Sequence, residues 1–155
     1  MSTLVLGIGN TLLSDEGVGV HATRYLFDCF PDLPDTSCLD GGTLSFTLAG
    51  HIENSNNLIV IDAAQLNDEP GTVRTFIGEE MDDYLNTQTK RSVHEVGLID
   101  LMSIVRLTGR LPDNRALIAI QPGSIDWGES PTADVQAAIP AVCQKARQLI
   151  EEWQA

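Results

Sequence analysis

The sequence predicts an α/β protein, with one domain over residues 1–155 built on a doubly wound, mostly parallel and twisted sheet of about five strands with helices on both faces. Short and almost continuous apolar runs are typical of parallel strands buried on both faces. These runs alternate with helical patterns at the intervals of βα units, and no repeat or linker interrupts them. A chain of 155 residues with 43% hydrophobic content is large enough for one sizeable core.

The first βα unit opens the chain. Val5-Leu6-Gly7-Ile8 predicts a buried strand, and a glycine turn then leads to a helix after Ser14. Apolar side chains recur in this helix at spacings of three or four, which predicts one stripe against the sheet. The stripe comprises Val18, Ala22, Tyr25, Leu26 and Cys29. We expect the helix to end near Pro31.

The next two predicted strands each end on a carboxylate. A strand through Thr36–Leu39 reaches Asp40-Gly41-Gly42-Thr43, which predicts a turn before a helix. Leu58–Ile61 is the plainest buried strand of the chain, and it ends on Asp62. The helix between the two strands carries Leu44, Phe46, Leu48 and Ile52.

The second half of the chain continues the alternation. Residues 71–77 alternate between polar and apolar or small side chains, which predicts a strand near an edge, and an acidic stretch without a clear pattern follows. Residues 98–107 carry a helical stripe with His94 in the first turn of that helix, residues 115–121 form a last buried strand, and residues 135–153 form an amphipathic helix. We expect Pro140 to kink or divide this last helix.

Charge and hydropathy exclude several classes of protein. The net charge of −13 disfavours binding to nucleic acid or to anionic membranes, because both carry negative charge. No apolar run approaches the ~18 residues of a membrane span, and no basic segment precedes the first apolar run as in a signal peptide. We therefore expect a cytoplasmic protein that binds neither nucleic acid nor membrane.

The three cysteines are expected to be packing residues. Cys29, Cys38 and Cys143 are odd in number and form no C-x-x-C motif. This fits buried thiols in a reducing compartment better than disulfides or a zinc site.

The glycine turn differs from a dinucleotide-binding turn. Gly7 and Gly9 fit the fingerprint, but Leu12 stands where its third glycine is required. Asp15 and Glu16 would also repel a pyrophosphate at the start of the helix. A metal cation or a polar substrate suits this acidic turn better, and the alternative is that both carboxylates only complement the helix dipole.

Familiar hydrolase motifs are absent. The sequence contains neither G-x-S-x-G nor a Walker A motif. His94-Glu95-Val96-Gly97-Leu98 begins like a zinc-protease motif but has Leu98 in place of the second histidine, which excludes that class. A cysteine nucleophile remains an alternative, but the sequence does not support it, because no cysteine has a histidine close to it in sequence.

Three residues form a candidate metal set. Glu16, Asp62 and His94 each lie where a βα fold can bring them to the crevice at the carboxyl ends of the strands. Oxygen and imidazole ligands suit nickel or zinc, and three protein ligands leave coordination positions open. Each residue also has an interpretation without a ligand. Glu16 would complement the helix dipole, Asp62 would cap the end of a strand, and His94 would be a surface histidine at the start of a helix.

Several motifs together resemble those of the nickel–iron hydrogenase maturation proteases. The resemblance spans nearly the whole chain and is most specific in its N-terminal block. It rests on Gly7-Ile8-Gly9-Asn10, Leu12, Asp15-Glu16-Gly17-Val18-Gly19, Asp40-Gly41-Gly42-Thr43, Asp62-Ala63 and His94.

The resemblance implies an endopeptidase that removes the C-terminal extension of a hydrogenase large-subunit precursor after nickel insertion. It implies that Glu16, Asp62 and His94 contact nickel held by the substrate, so we expect no permanently bound cofactor. Thiolates of the precursor would then complete the coordination of the metal. The alternatives are a non-cleaving module that docks on a nickel protein and a small nucleotide-binding protein.

The nucleophile is not identified by any motif. We expect water to attack the peptide bond, with Asp40 as the general base or as a substrate-holding group. The simpler alternative is that the Asp40 carboxylate, in an Asp-Gly-Gly turn, only accepts hydrogen bonds from nearby backbone amides.

Trp127 lies in a glycine-rich loop, where it either anchors the partner or packs on its own domain. We expect a monomer by default.

Overall fold

The computed structural model describes residues 1–42, 47–87 and 93–154, and of residues 93–96 it describes the backbone. Five strands and five α-helices lie in these ranges, with a short 3₁₀ turn at Ser14–Gly17 before the first helix. In chain order they are β1 (Thr3–Ile8), α1 (Val18–Cys29), β2 (Thr36–Gly42), α2 (Thr47–Glu53), β3 (Asn57–Ala63), β4 (Val73–Ile77), α3 (Glu79–Thr87), α4 (Val93–Leu107), β5 (Asn114–Ile120) and α5 (Ala133–Gln154).

The strands form one sheet in the order β2-β1-β3-β5-β4. The first four strands in that order run parallel, and β4 pairs antiparallel with β5 at the edge. The predicted mostly parallel sheet of about five strands is therefore confirmed, as is the edge position of residues 71–77.

Helices cover both faces of the sheet, as predicted. Leu6 and Val60 point to a core that they share with α2, α3 and α4. Val5 and Ile59 point to the opposite core, which they share with α1 and α5. The side chains of β1 and β3 thus alternate between two buried faces, which explains their continuous apolar runs.

The apolar stripe of α1 is rotated from its predicted position. Tyr25 is 40% exposed and Cys29 is also exposed, so the prediction that they face the sheet is wrong. Gly19 and Thr23 are buried against the sheet side instead. Small residues allow the closest approach of a helix to a strand, so they are buried at such contacts. A prediction that counts only large apolar residues does not detect Gly19 and Thr23.

Two strands continue beyond the ends predicted for them. Asp40, Gly41 and Gly42 belong to β2 rather than to a turn, so the predicted turn is wrong at these residues. Asp62 likewise lies within β3. Pairing with β1 extends β2 to Gly42, with a shift of register between Gly7 and Ile8. Three residues of the predicted motif and helix, Thr43, Leu44 and Phe46, lie outside the described residues.

The acidic stretch that showed no clear pattern contains the helix α3. Its apolar signal is weak because Met81 and Leu85, four residues apart, are its only fully buried side chains. Tyr84 adds a stacked contact with Phe76 of β4, with ring centroids 4.2 Å apart. Acidic residues in its first turn complement the positive end of the helix dipole.

The C-terminal helix α5 runs unbroken past Pro140, so the predicted division of this helix is wrong. Ile139, Val142 and Cys143 lie on either side of the proline along the chain and are buried in the same core. Their burial outweighs the roughly 3 kcal/mol that an internal proline costs a helix. Among the described residues, no helix is both long and apolar enough to cross a membrane.

The cysteines differ from the prediction at two positions. All three are free thiols, and Cys143 is buried as expected, where its thiol donates to the carbonyl oxygen of Ala22. Cys29 and Cys38 are exposed, so the assignment of these two to packing is wrong. Cys38 lies on β2, an edge strand of the sheet in which residues 36–40 are all exposed or only partly buried.

A buried ion-pair network ties α3 to the sheet and to α4. The Arg115 guanidinium donates to both carboxylate oxygens of Asp82, with an Nε–Oδ1 distance of 3.0 Å, and Arg106 lies 2.9 Å from Oδ2. The side chains of Asp82 and Arg115 are 12% and 11% exposed. The helices α3 and α4 therefore share one polar anchor with β5.

Replacing Asp82 with Asn should destabilise the fold. The buried Arg115 would lose its charged, bidentate partner, so we expect a loss of about 2 kcal/mol in the free energy of unfolding. Glu151→Gln is the matched control, because Glu151 pairs with Arg147 on the exposed surface of α5 and should change stability by less than about 0.5 kcal/mol. Urea denaturation at pH 7 measures both, and equal stability of the two variants would contradict the anchor role.

Candidate active site

The candidate site lies where parallel strands end together. Gly7 of β1 pairs with Ile61 of β3 on one side and with Asp40 of β2 on the other. The carboxyl ends of these three strands therefore meet at one edge of the sheet, where ligands bind in open α/β folds. The 3₁₀ turn that carries Glu16 contacts β3 at the same edge.

Two glycines bring the turn and α1 against these strand ends. Gly9 has a φ of 137°, and a Cβ at this position would overlap the carbonyl oxygen of Glu16. A Cβ at Gly19 would overlap the carbonyl oxygens of Ile8 and Ile61. Only glycine permits both approaches. The close packing that a dinucleotide fold assigns to its third glycine is performed here by Gly19, further along the chain.

The two carboxylates of the acidic turn have different environments. Asp15 is fully buried and accepts hydrogen bonds from the backbone amides of Gly123, Ser124 and Thr132, at 2.7, 2.9 and 2.6 Å, and from the Thr132 hydroxyl at 2.8 Å. Glu16 is only partly buried. Asp15 therefore fastens the loop after β5 to the turn, and Glu16 is the member of the pair that a ligand can reach.

Hydrogen bonding keeps Asp15 ionised. Burial alone raises the pKa of the Asp15 carboxyl, but the hydrogen bonds from Ser124, Thr132 and Gly123 outweigh burial and hold this pKa below its usual value. A buried carboxylate with four donors is fully satisfied.

Asp62 lies on the face of the sheet that α4 covers. It is 3% exposed, and it stands between Ile61 and Ala63, which both face the core beneath α1 and α5. Alternation along the strand directs Asp62 to the opposite face. His94 begins the same helix, α4, in its first turn, and its side chain lies outside the described residues. The arrangement of Glu16 and Asp62 with His94 therefore stays a prediction.

Asp40 points to the other face. Its strand neighbour Leu39 packs in the core beneath α2, α3 and α4, so Asp40 faces the side of α1. There its Oδ2 lies 3.5 Å from a guanidinium nitrogen of Arg24, and its side chain is 52% exposed. The structure thus separates Asp40 from Asp62 by the thickness of the sheet, although both lie near its carboxyl edge. The catalytic role of Asp40 stays a prediction.

No ready-made metal centre lies in the described part of the chain, where no three His, Cys, Asp or Glu side chains are grouped to hold an ion. The side chain of His94 is outside that search. Glu16 and Asp62 are oxygen donors on neighbouring elements, which suits a divalent ion that brings further ligands with it.

Two residues near the site, Thr132 and Ile125, were not detected from the sequence. Thr132 completes the binding of Asp15 from 117 residues away, and no local pattern signals such a pairing. Ile125 belongs to the same loop as Trp127, and both side chains project into solvent. The interpretation that Trp127 packs on its own domain is therefore wrong, and its role as a partner anchor stays a prediction.

Comparison with known proteins identifies this architecture. The family profile described as hydrogenase maturation protease matches residues 20–149. The Hydrogenase 2 maturation protease of Escherichia coli K12 is 34% identical over 154 residues, covering 98% of this chain and 92% of that protein. The chain belongs to the hydrogenase maturation protease family.

Solved structures agree with this membership. The hydrogenase maturating endopeptidase HybD from E. coli matches with a TM-score of 0.90 at 34% identity, over 98% of this chain and 93% of that one. The NiFe hydrogenase maturation protease HybD from Thermococcus kodakarensis matches with a TM-score of 0.82 at 31% identity, over 97% of this chain and 99% of that one. The chain is thus a maturation peptidase, and membership in this family favours a peptidase over the docking module and the nucleotide-binding protein.

Proposed function

We propose that this peptidase removes the C-terminal extension of a nickel–iron hydrogenase large-subunit precursor once nickel has been inserted. The observation that carries the proposal is the contact between the turn that carries Glu16 and β3, the strand that carries Asp62, within a fold shared with hydrogenase maturation proteases. A precursor segment can approach the partly buried Glu16 from the open carboxyl edge of the sheet.

Nickel held by the precursor is the recognition signal in this proposal. Glu16, Asp62 and His94 contact the ion, and thiolates of the precursor complete its coordination. The ion belongs to the substrate, and the free enzyme carries no permanent cofactor. A site with few ligands of its own then distinguishes a loaded precursor from an empty one, because only the loaded precursor brings the metal.

Hydrolysis follows from placing a water molecule against the scissile carbonyl. The water adds to the carbonyl carbon and gives a proton to a carboxylate, and the proton then passes to the leaving amine. Asp40 is the proposed base or substrate-holding group, and Arg24 beside it orients its carboxylate. Nickel of the substrate polarises the carbonyl or orients the water.

The free enzyme acts as a cytoplasmic monomer in this proposal. The net charge of −13 supports a protein partner rather than nucleic acid or an anionic membrane. The precursor is the proposed macromolecular partner.

The test is intact-mass analysis of a large-subunit precursor incubated with this enzyme, with and without nickel. We expect loss of a C-terminal peptide from the nickel-loaded precursor only, and no cleavage of unstructured casein. Cleavage of both forms of the precursor would overturn nickel as the signal. Absence of cleavage from both forms would overturn the proposed processing of that precursor.

A further inference from the structure

Three large apolar side chains are exposed on two joined loops beside the candidate site. Trp127 is 82% exposed, Ile125 is 59% exposed and Leu12 is 50% exposed. Leu12 belongs to the loop after β1, and the other two belong to the loop after β5. We call these three residues the apolar patch.

The two loops of the apolar patch are joined by backbone hydrogen bonds. Leu13 and Gly128 form a parallel bridge, in which the Gly128 amide donates to the Leu12 carbonyl and the Ser14 amide donates to the Gly128 carbonyl, both at 2.9 Å. The Ser14 hydroxyl donates to the Asp126 carbonyl at 2.7 Å. Together with the bonds to Asp15, these contacts hold exposed side chains on a fixed backbone.

The position of the patch suits recognition better than folding. A tryptophan that is 82% exposed adds little to the core, and single exposed apolar residues are ordinary on a protein surface. Here three of them lie on joined loops at the edge where Glu16 lies, two residues after Ser14. Preorganised aromatic side chains are typical anchors of protein interfaces, because little conformational entropy is lost when they bind.

Charge defines the partner further. Asp126 and Glu129 flank Trp127 and are exposed, and Glu16 lies on the turn to which this loop is bonded. The whole chain carries a net charge of −13. A partner surface that covers the apolar patch is therefore expected to present an apolar pocket bordered by Lys or Arg.

We propose that the apolar patch is the docking surface for the hydrogenase large-subunit precursor, with Trp127 inserted in an apolar pocket that basic residues surround. This inference rests on the proposed function, since it names the same substrate. Docking at the patch brings the precursor to the edge of the sheet that carries Glu16 and thereby positions its C-terminal segment for cleavage.

The experiment compares Trp127→Ala with Leu107→Ala. Leu107 is a matched control, because it is 86% exposed and ends α4 at the opposite edge of the sheet. For the cleavage of nickel-loaded precursor we expect Trp127→Ala to raise KM by about 30-fold, as at an interface hot spot, with kcat within about threefold. Trp127→Phe should recover part of the loss, and Leu107→Ala should behave as the wild type.

Binding of the same variants to nickel-loaded precursor, measured by titration calorimetry, separates this inference from the proposed function. Weaker binding by Trp127→Ala alone supports docking at the patch whether or not peptide is released. Equal affinity of wild type, Trp127→Ala and Leu107→Ala overturns it, even where the wild type cleaves the precursor. A precursor that binds through Trp127 but is not cleaved would overturn the proposed processing and leave the docking surface in place.

Discussion

Glu16→Gln and His94→Ala should each lower the rate of precursor cleavage by at least about 100-fold, the largest effect expected on activity. A neutral amide is a far poorer nickel ligand than a carboxylate, and alanine offers no ligand atom. Neither residue belongs to an apolar stripe, and Glu16 is partly exposed. The free energy of unfolding should therefore change by less than about 1 kcal/mol in both variants.

Glu152→Gln and His51→Ala are the matched controls, because both residues are exposed and lie away from the candidate site, on α5 and α2. Single-turnover cleavage of nickel-loaded precursor, followed by mass spectrometry, measures the loss, and thermal unfolding monitors the fold. Normal cleavage by both Glu16→Gln and His94→Ala would falsify the metal-contact model.

Asp15→Asn should produce the largest loss of stability, about 3 kcal/mol, with a fall in activity that accompanies it. The amide nitrogen of Asn would face backbone donors that now bond to carboxylate oxygens, so buried amides of the loop would be left without acceptors. The turn that carries Glu16 would then lose its fixed position relative to the loop that carries Trp127.

The stability difference should depend on pH in a defined direction. The pKa of Asp15 in the folded protein lies below its usual value, so its contribution to stability is complete above the unfolded pKa, near 3.8, and is lost as the pH falls through the folded pKa. We expect a constant difference between wild type and Asp15→Asn from pH 5 to pH 8, which narrows below about pH 4.

Urea denaturation at several pH values measures this dependence. The control is Asp32→Asn, which removes the same charge from an exposed position. The control separates the hydrogen bonds of Asp15 from general relief of repulsion in a chain with a net charge of −13. A destabilisation by Asp15→Asn that does not exceed that of Asp32→Asn would contradict the anchoring role.

The face on which each carboxylate lies constrains the chemistry. Asp62 faces the side of α4, whereas Asp40 faces α1 and pairs with Arg24. In the proposed function, a peptide bound across the end of the sheet meets both, with the proposed nickel contact on one side and the proposed base on the other. The metal-contact role that the resemblance implies for Asp62 and the proposed role of Asp40 as a base are thus compatible with one extended substrate lying over the carboxyl edge.

Much of the fold is local in origin and was predictable. Val5, Ile59 and Ile61 are buried, as expected for unbroken apolar runs, because every side chain of such a run is shielded from water only when helices cover both faces of the strand. The position of Glu16 after β1 and of Asp62 at the end of β3 follows from the same runs, and parallel strands bring their ends to one edge. Family membership was also predictable, since it rests on motifs that are contiguous in sequence.

The parts that were mispredicted depend on contacts between distant segments. Gly19 and Thr23 carry no large apolar group, yet they are buried because α1 packs against β1 and β3 there, which leaves Tyr25 partly exposed. The helix α3 gains its stability from the ring stack with Phe76 and from the ion pair with Arg115, which its own sequence does not display.

The sequence by itself determined the order of the five strands and of the helices other than α3, the acidic turn and the family, because each depends on residues close together in the chain. Only the tertiary structure decided that Asp15 anchors a loop 108 residues away while Glu16 stays accessible. It also decided that Asp40 and Asp62 lie on opposite faces and that Trp127 is exposed. These features depend on strand register and on the pairing of distant loops. Packing across the sheet, rather than the neighbours in sequence, therefore decides which partner each side chain meets.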